Sequence, residues 1–368
     1  MISVGFRYAL RERTRFALTA SGLACAVVLT VFLAGVYRGA VHGSLSYIEH
    51  ADADVWVGRS GSWNLMRASA LLSGAAREQV LAIEGVQSAE PILSALLPAE
   101  VNGERRTLLV IGIDESAAAG RPRLVEQGTG LPGPGEIVID RAFARRVGLA
   151  LEEDLELAGR RLRVTGLSRE TNLLVTQYAF VRRGELLEML GLVDQATFLL
   201  VRTDPEPATE IAGRIERAIP QVAAYDRATF LANNREEIEA GFLPVLWAIA
   251  MFGLAVGGSV VALMTYAAVL EKRGDFATLA AIGAGTGVRF LVVMQQALLA
   301  ALAGALAGLA LLVALQRLLP TVVPEIEFRL ELWIAAAALA GSLAMAALGA
   351  LFPARLATRL PPLEALRR

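Results

Sequence analysis

Four stretches of this 368-residue chain carry no charged residue: Phe16–Tyr37, Ala240–Leu270, Phe290–Gln316 and Leu332–Ala354. Each exceeds the roughly 20 residues an α-helix needs to cross the hydrocarbon of a bilayer. Backbone amides cannot stay unpaired in lipid, so a run that spans a membrane is helical along its length. One such run can be a buried core helix, but four in one chain predict transmembrane helices over 16–37, 240–270, 290–316 and 332–354. Composition agrees. Apolar residues make up 55% of the chain and mean hydropathy is +0.51, above the soluble norm of roughly 45–50%.

The first run follows Arg7, Arg11, Arg13 and Arg15, the charge order of a secretory signal. It continues to Tyr37, past any short signal core, so an uncleaved anchor is expected. Cys25, the single cysteine, follows Gly22-Leu23-Ala24, with glycine where a lipoprotein cleavage site usually has leucine. One cysteine also excludes an internal disulfide and a multi-cysteine metal site. Arginine and lysine placement sets the orientation. Segments 1–15, 271–289 (Lys272, Arg273, Arg289) and 355–368 (Arg355, Arg359, Arg367, Arg368) are basic, whereas 317–331 pairs Arg317 and Arg329 with Glu325, Glu327 and Glu331. Both termini and 271–289 are therefore expected in the cytoplasm, with 317–331 a short outer loop and 38–239 a large outer segment. Long segments cross largely regardless of charge. The 35 basic and 36 acidic residues nearly cancel, so no global field points to nucleic acid.

Segment 38–239 reads as a folded α/β domain. Strand-like runs lie at 53–58, 106–113, 136–139, 162–167 and 196–202, and helical patterns at 73–86, 141–147, 183–190 and 205–218, with Ser73 a candidate cap. The glycine- and proline-rich stretch 128–136 marks a loop and a subdomain boundary. From Thr229 a helical pattern runs towards the second membrane helix without a clear breaker before Pro244, and the first membrane helix extends outward through 38–50. The outer domain is thus expected on helical stalks, serving either attachment or the relay of movement.

Between the second and third membrane helices lies Glu271-Lys272-Arg273-Gly274-Asp275-Phe276, followed by Ala277-Thr278-Leu279-Ala280-Ala281-Ile282-Gly283-Ala284. Gly274 is expected to close the membrane helix in a left-handed conformation and Asp275 to cap a short new one. Phe276, Leu279, Ala280 and Gly283 share an apolar face; Gly283 and Gly285 then break the helix, and Thr286 caps the next. A helix this short is marginal alone in water. It needs a membrane, the rest of the protein or a docking partner.

This segment resembles the signature of the FtsX-like, or MacB-like, family of ABC transporter permeases, approximately E-x-R-x-x-[FI]-x-x-L-x-A-[IL]-G-A. Glu271, Arg273, Phe276, Leu279, Ala281, Ile282, Gly283 and Ala284 fill its places. The tail from Pro353 to Arg367 is similar to the family's closing segment, and the basic N-terminal lead-in to its amphipathic start. The resemblance implies a membrane protein of four transmembrane α-helices with a large extracytoplasmic α/β (MacB-like periplasmic) domain between helices 1 and 2. It implies a non-catalytic permease subunit of the bacterial inner membrane, of the type VII, DevC-like class. Residues 275–283 would be the coupling helix seated in a separate ATP-binding subunit, with Glu271, Arg273, Asp275, Phe276, Leu279, Ile282 and Gly283 at the contact. No G-x-x-x-x-G-K-[ST] phosphate loop occurs in the chain, so ATP and magnesium would bind the partner and no cofactor this chain. Fused members carry the ATPase at their N-terminus, whereas here the amphipathic start follows Met1 almost at once.

Gly253/Gly257 and Gly304/Gly308 are G-x-x-x-G pairs that permit close helix approach, either between two permease copies or within one. His42 and His50, the only histidines, lie eight apart rather than at the i, i+4 spacing of a metal pair; Asp52 and Asp54 read as solvated or capping. None of the uncharged runs holds an Asp, Glu, Lys, Arg or His for ion coupling. The reading favours ATP-driven movement of the outer domain that exports a lipid-like or amphiphilic substrate, with a second permease copy, membrane lipid and an envelope adaptor as partners. The alternatives within the family are a non-transporting regulator of cell-wall hydrolases and a lipoprotein-releasing permease.

Overall fold

The computed structural model describes residues 13–66, 70–172, 176–203, 207–323 and 328–359. The lead-in before Arg13, the closing segment from Leu360, and Pro205, Glu325 and Glu327 lie outside these residues. Two compact units form: one of Met1–Tyr37, Leu243–Leu319 and Phe328–Arg368, the other of Arg38–Phe242 and Pro320–Glu327.

In chain order, helix α1 (Arg13–Glu49) precedes strands β1 (Val55–Arg59) and β2 (Leu72–Ser73), helix α2 (Gly74–Leu81), and strands β3 (Val86–Val101), β4 (Glu104–Ile113), β5 (Leu124–Gly128) and β6 (Glu136–Asp140). Helix α3 (Arg141–Val147), β7 (Asp154–Leu157), β8 (Arg160–Arg169), β9 (Gln177–Arg182), α4 (Arg183–Leu190), β10 (Gln195–Ala196) and β11 (Phe198–Thr203) follow. Then come α5 (Ala208–Ala218), β12 (Val222–Asp226), α6 (Arg227–Glu271), α7 (Arg273–Ala281), α8 (Thr286–Val322) and α9 (Leu332–Arg359).

In the outer unit β12, β1, β11, β3, β4, β9, β6, β8 and β5 pair in that order, and β7 joins β8 back to β3. Hydrogen bonding therefore runs round a ring, β3–β4–β9–β6–β8–β7–β3, with parallel pairs at β4–β9 and β6–β8. Closure removes free edges along this part of the sheet. Each strand of the ring sends a side chain to one buried cluster, among them Leu93, Leu108, Ile137, Leu155, Val164 and Ala179, with Phe143 of α3 and Leu186 of α4 packed in. A second cluster combines Val57, Leu199 and Val222 with Val80 of α2 and Ile211 and Ile215 of α5. The long strand β3 links the two, pairing with β11 through Ile92 and with β4 from Leu93.

Helices α3 and α4 fall where the sequence puts them. The helix expected over 73–86 ends at Leu81, because Gly85 turns at φ +91° and β3 begins next. Ser73 occupies its cap position without a side-chain bond. Asp140 does cap α3, accepting from the Ala142 N–H at 2.7 Å and the Thr171 hydroxyl at 2.7 Å. Burial raises its pKa, against the lowering pull of those hydrogen bonds.

In the membrane unit the helices long and apolar enough to span a bilayer are Arg13–Glu49, Leu243–Glu271, Thr286–Leu319 and Leu332–Arg359. Pro244 lies inside α6 without ending it, as neighbouring groups allow in membrane helices. The packing is close at small residues. A Cβ on Gly304 would collide with the Ala20 carbonyl of α1, and one on Gly308 would lie 3.0 Å from the Ala24 carbonyl. A Cβ on Gly257 would meet Met345 of α9 at 2.9 Å and Ala26 of α1 at 3.1 Å. Gly253 is looser, with Thr30 at 3.6 Å. Within this chain Gly257, Gly304 and Gly308 therefore lie at contacts between its own helices.

Candidate functional site

The turn between α6 and α8 departs from its predicted start. Lys272 alone breaks the helix, at φ −93° and ψ 16°. Its N–H still bonds to the Ala268 carbonyl at 3.1 Å, while its own carbonyl accepts from the Phe276 N–H at 3.0 Å. Because one residue in the bridge region suffices for the kink, Gly274 is not needed as a left-handed cap and lies inside α7. Asp275 does not cap either. It sits in the first turn, where its charge complements the helix dipole.

At the C-terminal end Gly283 breaks the helix, as expected. Gly283 has φ +86°. Its N–H bonds to the Ala280 carbonyl at 3.1 Å, and the Ala284 N–H to the Leu279 carbonyl at 2.9 Å. This is a Schellman motif, for which glycine is favoured because it tolerates the left-handed region. Thr286 is not the cap of α8 but its first residue; Gly285 precedes it and accepts from the Val288 N–H at 3.1 Å.

The apolar face turns inward. Phe276 is 6% exposed and packs with Val269 of α6, Val292 and Val293 of α8, and Ala354 and Ala357 of α9, with Leu279 beside it. Phe276 thus fastens α7 to its own helices, while Leu279 and Ala280 are half-buried and Gly283 is exposed. Asp275, Thr278 and Ile282 lie at spacings of three and four on the outward face and are exposed, Ile282 at 75%. Arg273 is exposed at the start of α7. Glu271 forms an ion pair with Arg15 of α1.

In the sequence Arg289 counts only towards the basic charge of 271–289. It is buried, and its Nη1 donates at 3.3 Å to the carbonyl of Ala357 in the last turn of α9, where carbonyls lack helical partners. Only its position in the first turn of an apolar helix could have hinted at this.

The outer-unit ends of α1 and α6 are rooted in aromatic packing. Tyr47 of α1 packs against Trp56, Tyr178 and Phe180, and its hydroxyl donates to the Gly120 carbonyl at 2.9 Å. Phe230 of α6 stacks on Trp56 with centroids 4.5 Å apart, and Asn234 accepts from the Leu65 N–H at 2.9 Å. Asp226 caps α6 by accepting from the Thr229 N–H at 2.8 Å. Partial burial pushes its pKa up, but bonds from Thr229 and Thr209 outweigh this and leave it below the usual carboxylate value. His42 lies 3.3 Å from the Glu170 carboxylate, which also accepts from the Ser46 hydroxyl at 3.1 Å, while His50 bonds to the Ser46 carbonyl. Asp54 is neither free nor a helix cap: it accepts from the Thr203 N–H and pairs with Arg227.

Comparison with known proteins matches these parts to a common family. A family model described as FtsX-like permease C-terminal matches residues 247–362, and one described as MacB-like periplasmic core domain matches residues 16–218. An uncharacterised ABC transporter permease of Mycobacterium bovis is 24% identical over 293 residues, covering 79% of each chain. One of Mycobacterium tuberculosis is 27% identical over 277 residues, covering 74% of each. Among solved structures, the periplasmic region of MacB from Actinobacillus actinomycetemcomitans is 13% identical with a TM-score of 0.39, covering 50% of this chain and 92% of that one. The extracellular domain of the noncanonic ABC-type transporter YknZ from Gram-positive bacteria is 13% identical with a TM-score of 0.36, covering 47% and 99%. With the core-domain model alone spanning more than half of its length, the chain belongs to the FtsX-like, MacB-like family of ABC transporter permeases.

Proposed function

We propose that this multi-pass permease uses α7 as the handle by which a separate ATP-hydrolysing subunit moves the membrane helices and, through α1 and α6, the outer domain. Membership of an ABC permease family implies a partner ATPase. The observation that carries the proposal is the two-faced build of α7: Phe276 locked into three membrane helices behind, Asp275, Thr278 and Ile282 exposed in front. A partner gripping the front face would pull on α6, α8 and α9 together. Helices α1 and α6 each contribute residues to both units, and a helix resists stretching along its hydrogen-bonded axis, so displacement at one end is delivered at the other. The absence of Asp, Glu, Lys, Arg and His from the uncharged runs supports a lipid-like or amphiphilic cargo moved by mechanical work over a hydrophilic solute led through a channel.

In this reading both termini and α7 face the cytoplasm, and two permease copies serve two ATPase subunits. The test is co-purification with the ATPase and stimulation of its hydrolysis. Ile282→Asp together with Asp275→Lys should abolish both while the permease remains folded in detergent. Full ATPase binding by that double variant would refute the assignment.

A further inference from the structure

Away from α7, the membrane unit holds a cavity of about 460 Å³ lined by α1, α6 and α9. Its walls run from Tyr37 to Ala26 on α1, Leu243 to Leu254 on α6 and Trp333 to Met345 on α9. At about 1.5 Å per residue each wall is about 17 Å long, close to half of the roughly 30 Å hydrocarbon thickness. Tyr37, Trp247 and Trp333 gather at one end, the residue types that sit at a membrane–water interface. Met345, against Gly257, lies at the other end. Apart from the aromatic tips, Thr30 and Ser342, the lining is hydrocarbon, and Ser342 spends its hydroxyl on the Leu339 carbonyl. Apolar cavities stay dry and accept apolar molecules.

We infer that this cavity takes one acyl chain of an anionic membrane lipid, entering sideways from the leaflet on the outer-domain side. The length matches a chain reaching from the interface to mid-bilayer, and the dry walls suit nothing more polar. At the aromatic end, the exposed Arg329 is held next to α1 by its N–H bond to the Gly35 carbonyl at 3.2 Å, placing positive charge where a headgroup would lie. Glu331, at the same end, accepts from the Trp333 indole N–H. The inference rests on the membrane reading and names the amphiphile class for the proposed cargo; it requires no ATPase.

The test uses the full chain in vesicles carrying phosphatidylglycerol with a photoactivatable group midway along one acyl chain. Peptide mapping of the wild-type protein should concentrate label on the cavity-lining stretches of α1, α6 and α9. Ala338→Phe, which fills the cavity, should lose most of that label, while Leu348→Phe, on an exposed face outside it, should not. Arg329→Gln should remove the preference for phosphatidylglycerol over the same probe built on phosphatidylcholine. Label spread evenly over exposed Phe252 and Leu348, equal labelling by the two lipids in the wild type, or crosslinks from a second copy's helix at these positions would each overturn the proposal. ATPase coupling measured on the α7 variants is independent, so failure of one leaves the other standing.

Discussion

Phe276 in α7 and Ile282 at its C-terminal cap lie six positions apart and face opposite ways. Burial of Phe276 predicts that Phe276→Ala costs about 3 kcal/mol, the size expected for emptying a packed aromatic site. Ile282→Ala should leave stability nearly unchanged. Thermal or denaturant unfolding in detergent separates the two. Gly283, at φ +86°, admits no side chain without strain, so Gly283→Ala should destabilise the turn by about 1 kcal/mol, read as faster amide exchange at Ala284. The sequence names all these residues through a family signature and a helical spacing. It does not say which face is the inner one, because Phe276 is apolar enough for either a partner's groove or its own bundle. The neighbours that decide the matter, Val269, Val292 and Ala357, arrive from three separate membrane helices.

At the scale of elements, local pattern succeeds where one short range of chain governs the outcome. Helices α3 and α4 and the four membrane spans are of this kind. It misses β9 and β12, which pair only with strands distant in sequence, and β3, although β3 forms a hairpin with β4 across Asn102-Gly103. Strand β3 carries Pro91 and Pro98, and proline argues against a central strand; here the two occupy register positions opposite Leu199 and Thr107. Two predictions belong to this scale. Gly304→Leu should separate α8 from α1, since even a Cβ meets the Ala20 carbonyl, and should lower the unfolding temperature of the membrane unit. The cap of α6 should be acid-sensitive. The Asp226 pKa is lowered on folding, so its contribution is full above the unfolded value of about 3.9 and is lost as pH falls through the lower folded value. Amide protection in the first turn of α6 should therefore fall below about pH 4. In Asp226→Ala it should be weaker by about 1 kcal/mol at neutral pH and should lose that acid step.

For the whole molecule, the order of one membrane helix, an α/β domain and three further membrane helices was legible from hydropathy alone, since bilayer thickness imposes a length no other constraint mimics. The closed ring of strands and the inward anchorage of α7 were not, because both arise only when distant segments meet. What remains specific to this permease is the claim that its partner ATPase holds the outward face of α7. The most direct measurement places a photoactivatable amino acid at position 282, and separately at 276, in the assembled complex. The account predicts crosslinks to the ATPase from 282, with those from 276 confined to the permease's own α6, α8 and α9. Crosslinks to the ATPase from 276 and none from 282 would contradict it.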